Sequence, residues 1–346
     1  MISHSDEYSA HLFDSGDARA TAVAEQPEPA RIRKDKPVVV TGASGLVGTH
    51  TCTMLAQNGW KVRAVARNMA KAAERLGHLR IEIRSGDIRN PDSMSDALRD
   101  AGALVHLAAI AVEKPGEHYG DTNTEATKIL LDAARAQSVD RIVYMSQNGA
   151  DSKSPYPFLK SKGLAEDMVT SSSTKWTVLK PSVIFGPEDE FVNVLARLVK
   201  LSPLIYPLPG GGTARFQPIA VDDVARAILK SLEADDSIGR SYTIGGPVPL
   251  TLRQMTERIL IAMNTSRKLV AVPVSALRPM IAVAQRLLPH PPVTTGLIEL
   301  LAIDNVTPSN DLVTELRITP TPFAPEELLY LRKISFSSAL HSLTSS

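Results

Sequence analysis

The chain has 346 residues, of which 38 are basic, 37 are acidic and one is a cysteine. This near-neutral balance excludes a strong general attraction to nucleic acid. The single cysteine excludes an internal disulfide framework and fits a reducing, cytoplasmic compartment. The length suffices for one large domain or for one and a half domains.

The N-terminal segment differs in composition from the rest of the chain. Residues 1–36 are polar and acidic, contain Pro27 and Pro29, and lack a long apolar run. No secretory apolar segment is present, and the acidic side chains disfavour a mitochondrial presequence. Because such a composition buries too little apolar surface to fold alone, we expect a disordered tail.

The most informative segment is residues 38–48, which read VVVTGASGLVG. The β-branched run predicts a buried parallel strand, and residues 46–58 continue at helical spacing. Glycines between a strand and a helix let the backbone turn sharply and approach a phosphate at the helix N-terminus. The segment therefore predicts a dinucleotide site. Its cofactor-binding residues would be Gly42, Ser44, Gly45, Leu46, Val47 and Gly48.

Strands and helices alternate along residues 37–186, as in a parallel sheet covered on both faces. The predicted strands are residues 37–41, 61–66, 81–85, 103–107, 141–145 and 177–180. The predicted helices are residues 46–58, 69–76, 93–101, 123–136 and 161–171. We therefore expect an α/β fold, a Rossmann-type doubly wound parallel sheet completed by later segments. Its ligands would bind beyond the carboxyl ends of the strands.

The second half of the chain has a looser pattern. We interpret residues 187–333 as a smaller C-terminal α/β substrate lobe and residues 334–346 as a flexible tail. Helices are predicted over residues 190–200, 222–233 (capped) and 251–263. The last of these begins at Thr251, which has the capping-box spacing to Gln254.

Residues 269–288 form the longest apolar stretch near the C-terminus. Prolines and arginines interrupt it, so it is a poor candidate for a membrane span. We favour a buried helix that closes the substrate lobe. The alternative is an interfacial helix, with residues 269–290 contacting a membrane surface or a protein complex.

The end of the second strand bears on the choice of nucleotide. Residues 66–68 read ARN, with no acidic side chain to hold a ribose. Because a guanidinium can grip a phosphate with two hydrogen bonds, Arg67 favours NADP over NAD. At the end of the third strand, Asp87 would accept from the adenine amino group or simply cap a turn, and Ile88 would cover the ring. The fourth strand would admit the cofactor closely through Leu107, Ala108 and Ala109.

Together these residues resemble the short-chain dehydrogenase/reductase superfamily. More narrowly, they resemble its atypical, NAD-dependent epimerase/dehydratase-like branch, which includes the nicotinamide-nucleotide-binding accessory subunit of respiratory complex I. The resemblance covers residues 36–333 and rests on residues 41–48, 181–189, 210–219 and 221–225. It implies a Rossmann fold with bound NAD(P), but not turnover, because the complex I relative holds its nucleotide structurally. It also implies contacts near the nicotinamide from Pro181, Val183 and Ile184.

Reductases of this superfamily use a Tyr-x-x-x-Lys pair, in which the lysine lowers the pKa of the tyrosine and holds the nicotinamide ribose. Residues 154–166 read SPYPFLKSKGLAE and allow two registers. Tyr156 and Lys160 have the required spacing, but the intervening proline disfavours helical geometry at Tyr156. Lys162 has the better context, and there Phe158 replaces the tyrosine. We prefer this register, in which Lys162 contacts the ribose without activating a hydroxyl; an exposed helical lysine is the alternative.

Other polar residues near the strand ends are further candidates. The catalytic serine or threonine of the family aligns with Gln147, which leaves Ser146 as the nearest hydroxyl and as a cofactor contact. His106 is expected to be a satisfied core histidine. His118 and Tyr119 lie in a loop that faces the predicted crevice, where either could supply an acid. No metal-ligand spacing is present.

Two functions follow from this pattern. The first is an NAD(P)-binding protein, with NADP preferred, whose nucleotide is structural or regulatory because the tyrosine position is lost. The second is an active NADPH-dependent reductase, dehydrogenase or epimerase acting on a hydrophobic carbonyl, quinone or isoprenoid, with Tyr156 or Tyr119 as proton donor. We expect a cytoplasmic protein without a nucleic-acid partner, peripheral to a membrane if residues 269–290 are interfacial.

Overall fold

The computed structural model describes residues 34–114, 116–287 and 294–344. Most of the segment predicted to be a disordered tail, residues 1–33, lies outside the described residues. The strands are β1 (Val38–Thr41), β2 (Val62–Ala66), β3 (Glu82–Ser85), β4 (Ala103–His106), β5 (Arg141–Met145), β6 (Lys175–Pro181), β7 (Ile184–Phe185), β8 (Ile205–Pro209), β9 (Arg215–Phe216), β10 (Ile219–Ala220), β11 (Arg240–Ile244), β12 (Leu250–Thr251) and β13 (Lys268–Val272).

The α-helices are α1 (Leu46–Gln57), α2 (Met69–Leu76), α3 (Pro91–Ala97), α4 (Ala126–Ala136), α5 (Pro157–Thr170), α6 (Val192–Leu201), α7 (Val221–Glu233), α8 (Leu252–Ala262), α9 (Val274–Leu287), α10 (Thr295–Leu300), α11 (Asp311–Thr314) and α12 (Phe336–Thr344). A π-helix, Gly120–Glu125, leads into α4. Short 3-10 helices span Gly210–Gly212, Asp235–Ser237 and Pro325–Lys333.

Seven parallel strands form the central sheet, in the order β11-β6-β5-β4-β1-β2-β3. Val38 of β1 pairs with Val62 of β2 on one side and with Ala103 of β4 on the other. The strand order therefore reverses at β1, which is where doubly wound sheets bind ligands. The predicted α/β fold is confirmed.

Both faces of this sheet are buried. Val38 and Val40 pack into a cluster with residues of α1 and α7, whereas Val39 points to the opposite face and packs with residues of α3 and α4. All three valines are fully buried. Burial on both faces explains why the strand is a continuous apolar run rather than an alternating one.

A second cluster of buried side chains lies in the later part of the chain. It joins residues of α6, α8 and the 3-10 helix Pro325–Lys333. Phe185 and Phe323 meet there edge to face, with ring centroids 5.1 Å apart. Residues 336–344, assigned from sequence to a flexible tail, form α12, and Ala339 of that helix is fully buried.

The apolar stretch of residues 269–288 is not one buried helix, so that preferred interpretation is wrong. Its first part belongs to β13, which pairs in parallel with β8, and Pro273 separates that strand from α9. On α9, Met280 is 67% exposed and Val283 is 58% exposed. The β-branched residues before the proline form a two-stranded sheet with β8, so only the part after it is helical. No helix among the described residues combines the length and the apolar character needed to cross a bilayer.

Local sequence signals predict two further helix starts, and the structure confirms one of them. The capping box at Thr251 is confirmed: its hydroxyl accepts from the backbone of Gln254, whose side chain accepts from the backbone of Thr251. The predicted cap before α7 is wrong, because that helix begins after Ala220, which has no polar side chain. Two acidic side chains in its first turn instead favour the helix dipole.

Candidate functional site

The turn that follows β1 is packed directly against the end of β4. Gly42 has a φ of +71°, and a β-carbon placed on it would lie 2.8 Å from the backbone nitrogen of Ala108. A β-carbon on Gly48, in the first turn of α1, would lie 2.2 Å from the carbonyl oxygen of Gly42. Both positions therefore require glycine: Gly42 for its backbone conformation, and both for the close approach.

The amino end of α1 presents backbone N–H groups rather than side chains. Gly45 is the N-cap residue and has no side chain with which to cap the helix; its φ is −80° and its ψ is 174°. The first turn of α1 contains no acidic residue. Because N–H groups and the positive end of the helix dipole attract an anion, this turn suits a pyrophosphate.

A cavity of about 880 Å³ borders this turn. The predicted cofactor-binding residues that line it are Gly42, Ser44, Gly45, Arg67, Ile88, Leu107, Ala108 and Ala109. Further walls come from the loop of residues 110–114, from Arg197 of α6 and from Thr294 before α10. The carboxyl ends of β1, β2 and β4 therefore meet at one cleft that continues towards the second half of the chain.

The other predicted cofactor-binding residues do not line this cavity. They are Leu46, Val47, Gly48, Asp87, Ser146, Lys162, Pro181, Val183 and Ile184. The first three form the start of α1, behind the glycine turn. Pro181 ends β6 and Ile184 begins β7, so both lie at neighbouring strand ends.

Basic side chains gather where β2 ends. Arg67, Lys71 and Arg89 all line the cavity. Sequence reasoning missed Lys71 and Arg89, although Lys71 follows Arg67 by only four residues, in the first turn of α2. Arg67 is 49% exposed, and its Nη1 lies 2.6 Å from Oε1 of Glu117, another lining residue that was missed. Three cations thus line this part of the cleft, of which Arg67 is paired with Glu117 and Arg89 with Asp87.

Asp87 is engaged within its own turn. Its Oδ1 accepts the backbone N–H of Arg89 at 2.9 Å, and its Oδ2 accepts from Nη2 of Arg89 at 2.7 Å. The hydrogen bond from the Arg89 guanidinium holds the pKa of Asp87 below its ordinary value. Because both carboxylate oxygens are used in this way, the geometry favours a turn cap over an adenine contact.

The position at which α5 begins decides between the two possible registers of the tyrosine–lysine motif. Tyr156 is the N-cap residue, with an extended backbone at φ −89° and ψ 116°, and Lys160 is exposed. Phe158 and Lys162 both lie inside the helix, one turn apart. Lys162 is 4% exposed, which excludes a solvated surface lysine. Only the second pair lies wholly within the helix.

Lys162 is anchored to the carboxyl end of β5. Its Nζ donates to the carbonyl oxygen of Met145 at 2.7 Å and lies 4.6 Å from the ring centre of Tyr144. Burial lowers the pKa of Lys162 to about 7, while the nearby charge of Glu166 opposes that shift. The amine is therefore held at a strand end in a desolvated setting, where it can donate to a hydroxyl.

Ser146 is hydrogen-bonded to a carboxylate that is itself ion-paired. Its Oγ donates to Oε2 of Glu166 at 2.6 Å, and Oε1 of Glu166 accepts from Nζ of Lys180 at 2.7 Å. The next residue, Gln147, is partly buried. The only hydroxyl at this strand end, in residues 145–147, is thus committed to Glu166.

The side chain of His106 is a neutral, buried part of the sheet. Thr127 Oγ1 donates to the carbonyl oxygen of Asn123 at 2.7 Å, so it accepts from Nε2 of His106 at 3.1 Å. Nδ1 of His106 then accepts from Oγ1 of Thr41 at 2.8 Å. Burial lowers the pKa of His106 to about 3, with the charge of Lys162 as a smaller cause. The expectation of a satisfied core histidine is confirmed.

Tyr119 lies beside the lost tyrosine position. Its ring centroid is 5.8 Å from that of Phe158, and its hydroxyl donates to the carbonyl oxygen of Ala111 at 2.9 Å. Burial raises the pKa of Tyr119 above its ordinary value. His118 is exposed and lies 3.7 Å from Glu113. Of these two candidate acids, Tyr119 is therefore the one packed against α5.

Asn123 fixes the loop that follows β4 and was missed by sequence reasoning. Its Nδ2 donates to the carbonyl oxygen of Ile110 and to Oγ of Ser161, each at 3.0 Å, and its Oδ1 accepts from the Ile110 backbone at 2.8 Å. Asn123 is 1% exposed. A buried amide with these partners ties a wall of the cleft to α5.

Known proteins resemble this chain along most of its length. It is 31% identical over 224 residues to the mitochondrial NADH dehydrogenase (ubiquinone) 1 alpha subcomplex subunit 9 of Arabidopsis thaliana, covering 63% of this chain and 56% of that protein. It is 24% identical to the mitochondrial NADH-ubiquinone oxidoreductase 40 kDa subunit of Neurospora crassa, covering 87% and 84%. A ceramide reductase of Caulobacter vibrioides is 28% identical over 56% of this chain and 59% of its own length. The chain thus spans little more than half of the Arabidopsis subunit.

Solved structures support the same fold. A nucleoside-diphosphate-sugar epimerase from Staphylococcus aureus has a TM-score of 0.69 at 19% identity, covering 86% of this chain and 100% of that chain. A UDP-glucuronic acid 4-epimerase from Bacillus cereus, in complex with UDP-glucuronic acid and NAD, has a TM-score of 0.66 at 19% identity, covering 88% and 99%. Residues 38–245 match the model of one family over more than half of the chain, which confirms the resemblance drawn from the sequence. The chain belongs to the NAD dependent epimerase/dehydratase family.

Proposed function

We propose that this chain binds NADP(H) in the cleft as a structural or regulatory ligand and does not turn over a carbonyl substrate. The observation that carries the proposal is Phe158, which occupies the position one helical turn before the buried Lys162. Phenylalanine has no proton to exchange with a substrate oxygen, so the acid–base step of superfamily reductases lacks its usual donor.

The residues present fit a dinucleotide. The glycine turn leaves no room for a β-carbon at Gly42 or Gly48, and the N–H groups after Gly45 suit a pyrophosphate. Ile88 lines the cavity near β3 and would cover the adenine. The Lys162 amine would donate to the nicotinamide ribose. When bound, such a nucleotide supplies hydride transfer, and this chain's own residues bind and orient it.

The preference for NADP rests on charge. Arg67, Lys71 and Arg89 line the cleft where β2 ends, and guanidinium and ammonium groups bind phosphate strongly. The NAD-binding alternative would use a carboxylate at the end of β2, where this chain has Arg67 and Asn68. The gathering of these cations at a strand end where residues 66–68 carry no acidic side chain therefore supports a phosphorylated ribose.

The absence of turnover rests on where the nearby hydroxyls lie. Tyr156 stands before the first turn of α5, and the Tyr119 hydroxyl is bonded to the carbonyl of Ala111. Ser146 donates to Glu166. The three hydroxyls that the sequence singled out, those of Tyr156, Tyr119 and Ser146, are thus outside the helix or already engaged.

We further propose that the chain contacts a partner protein through residues 269–290. The exposed Met280 and Val283 lie within residues 269–290, of which 288–290 fall outside the described residues. Relatives named as subunits of mitochondrial NADH dehydrogenase support a role in an assembly. A membrane surface is the alternative occupant, and co-flotation with anionic vesicles would favour it over a protein partner. A cytoplasmic location is part of this proposal, supported by the single cysteine of the chain, which fits a reducing compartment.

The proposed function is tested by nucleotide release and turnover in the same preparation. Purified protein is denatured, and the released nucleotide is identified by mass spectrometry. The folded protein is then mixed with NADPH and a panel of ketones, quinones and sugar nucleotides, and absorbance at the NADPH band is followed. Retained NADP(H) without oxidation supports the proposal; steady oxidation of NADPH overturns its inactive half, and no affinity for any dinucleotide overturns all of it.

A second candidate function is a reductase of hydrophobic carbonyl compounds that uses Tyr119. The observation that favours it is the packing of Tyr119 on Phe158, which brings a phenol beside the lost tyrosine position. The relatives named as a ceramide reductase and as 2-alkyl-3-oxoalkanoate reductases support a hydrophobic substrate class. Under this candidate NADPH oxidation would fall at least about 100-fold in Tyr119→Phe and would persist in Tyr156→Phe.

A further inference from the structure

The cleft carries a carboxylate where the sequence offers none. Residues 66–68 lack an acidic side chain, but the fold brings Glu117 to the same place from a loop after β4. Oε1 of Glu117 lies 2.6 Å from Nη1 of Arg67, and Glu117 is the more buried partner, with its side chain 25% exposed against 49%. The end of β2 therefore presents a cation and an anion side by side.

The backbone holds Glu117 in this position. Its N–H donates to the carbonyl oxygen of Lys114 at 2.9 Å, and the Lys114 N–H donates back to the carbonyl oxygen of Glu117 at 3.2 Å. Glu117 also acts on the neighbouring charges. The pKa of Arg89 is raised chiefly by its bond to Asp87 and, to a smaller extent, by the charge of Glu117. The carboxylate is thus fixed within electrostatic range of two of the cations that line the cleft.

We propose that Glu117 is a specificity-determining residue, which lowers the preference of the cleft for NADP(H) and lets it bind NAD(H) as well. The inference rests on the proposed function, because it assumes a dinucleotide in this cleft. A ribose 2′-hydroxyl can donate to the Glu117 carboxylate while Arg67 keeps its ion pair. A 2′-phosphate instead draws Arg67 away from Glu117 and meets a like charge.

Two terms set the size of the effect, and both weaken the binding of NADP(H) to the wild type. The Arg67–Glu117 pair is partly exposed, so breaking it is a modest cost. The repulsion between Glu117 and a phosphate dianion acts in a concave site, where charges are screened less than on an open surface. Removing the charge of Glu117 should therefore raise the affinity for NADPH about tenfold. Because the acceptor of the 2′-hydroxyl is weakened, the affinity for NADH should fall several-fold.

The test measures both dissociation constants in matched variants. NADPH and NADH are titrated into the full chain by calorimetry for the wild type, for Glu117→Gln and for Glu125→Gln. Glu125 is an exposed carboxylate paired with Lys128, away from the cavity lining, so its variant controls for a change of net charge. The expected result is a Kd ratio of NADH to NADPH that rises at least about tenfold in Glu117→Gln alone.

The outcomes separate this inference from the proposed function. If both nucleotides bind the wild type and Glu117→Gln leaves their ratio unchanged, the role of Glu117 is overturned and the proposed function stands. If neither nucleotide binds the wild type, the proposed function itself is overturned, and the inference with it. The double variant Arg67→Ala/Glu117→Gln completes a double-mutant cycle. The increase in NADPH affinity caused by Glu117→Gln should differ between chains with Arg67 and chains with Arg67→Ala.

Discussion

Gly48 packs on Gly42 so closely that a β-carbon on the former would lie 2.2 Å from the carbonyl oxygen of the latter. The contact joins the first turn of α1 to the turn that would hold the pyrophosphate. Gly48→Ala should therefore shift one of the two backbones and destabilise the fold by about 1–3 kcal/mol, the usual cost of overpacking. Urea unfolding measures this loss, and nucleotide affinity should fall with it.

Gly296 provides the matched control. It lies in α10, and a β-carbon placed on it would meet nothing within 4 Å. Gly296→Ala should leave stability unchanged or raise it by up to about 1 kcal/mol, because alanine restricts the unfolded chain. Equal destabilisation by both substitutions would contradict the close packing at the glycine turn.

Restoring the phenol should create turnover. In Phe158→Tyr the new hydroxyl stands one turn before Lys162, whose charge favours the ionised phenol. We expect NADPH oxidation with hydrophobic ketones or quinones to rise at least about 100-fold over the wild type. The gain should vanish when Lys162→Met is added. Indistinguishable rates in the wild type and Phe158→Tyr would argue that more than the phenol is missing.

Arg67 should discriminate between the two dinucleotides. A charge-assisted hydrogen bond to phosphate is worth about 1.5–3 kcal/mol, so Arg67→Ala should weaken NADPH about 10–100-fold. NADH should change by no more than about threefold, because it lacks the phosphate. Arg135, an exposed residue paired with Asp132, offers a control through Arg135→Ala. Equal weakening of NADPH and NADH by Arg67→Ala would exclude a phosphate grip.

The buried His106 should make the fold sensitive to acid. Its pKa is about 3 in the folded chain because of burial, against an ordinary value near 6.5. Between these values the unfolded chain binds a proton that the folded chain does not, so stability falls as the pH falls. The loss from this one group is about 1.4 kcal/mol per pH unit below pH 6.

Urea unfolding at pH 7 and pH 5 measures that slope. His106→Gln should reduce the loss between the two pH values by about 2 kcal/mol, whatever its effect on stability at pH 7. If His106→Gln and the wild type lose the same stability on acidification, the histidine is not held neutral by the sheet.

The first half of the fold could be predicted because its signals are local. The strand predicted over residues 141–145 is β5, and the helix predicted over residues 69–76 is α2. Both are short periodic runs with clear ends. The start of α5 could not be read in the same way, because Pro157 disfavours helix in the residue before it but fits the first turn of the helix that it begins.

The site was harder to predict from the sequence than the fold, for a different reason. The glycine turn and Arg67 follow strands directly, so their place at the cleft comes from strand order alone. Glu117 lines the cleft and Asn123 supports its wall, and both come from the long connection between β4 and α4. Their partners are Arg67 and Ile110. No pattern of neighbouring residues encodes such pairs, because they are made only when the loop folds back on the sheet.

The sheet order also bears on how the chain is made. Strand β11 covers the outer side of β6, yet it is synthesised only after α6 and α7, which lie between the two strands in the chain. Until residue 244 has left the ribosome, β6 remains an edge strand whose outer peptide groups are unpaired. A fragment that stops near residue 186 would keep this edge strand unpaired. Such a fragment would be prone to self-association through that edge rather than remain monomeric.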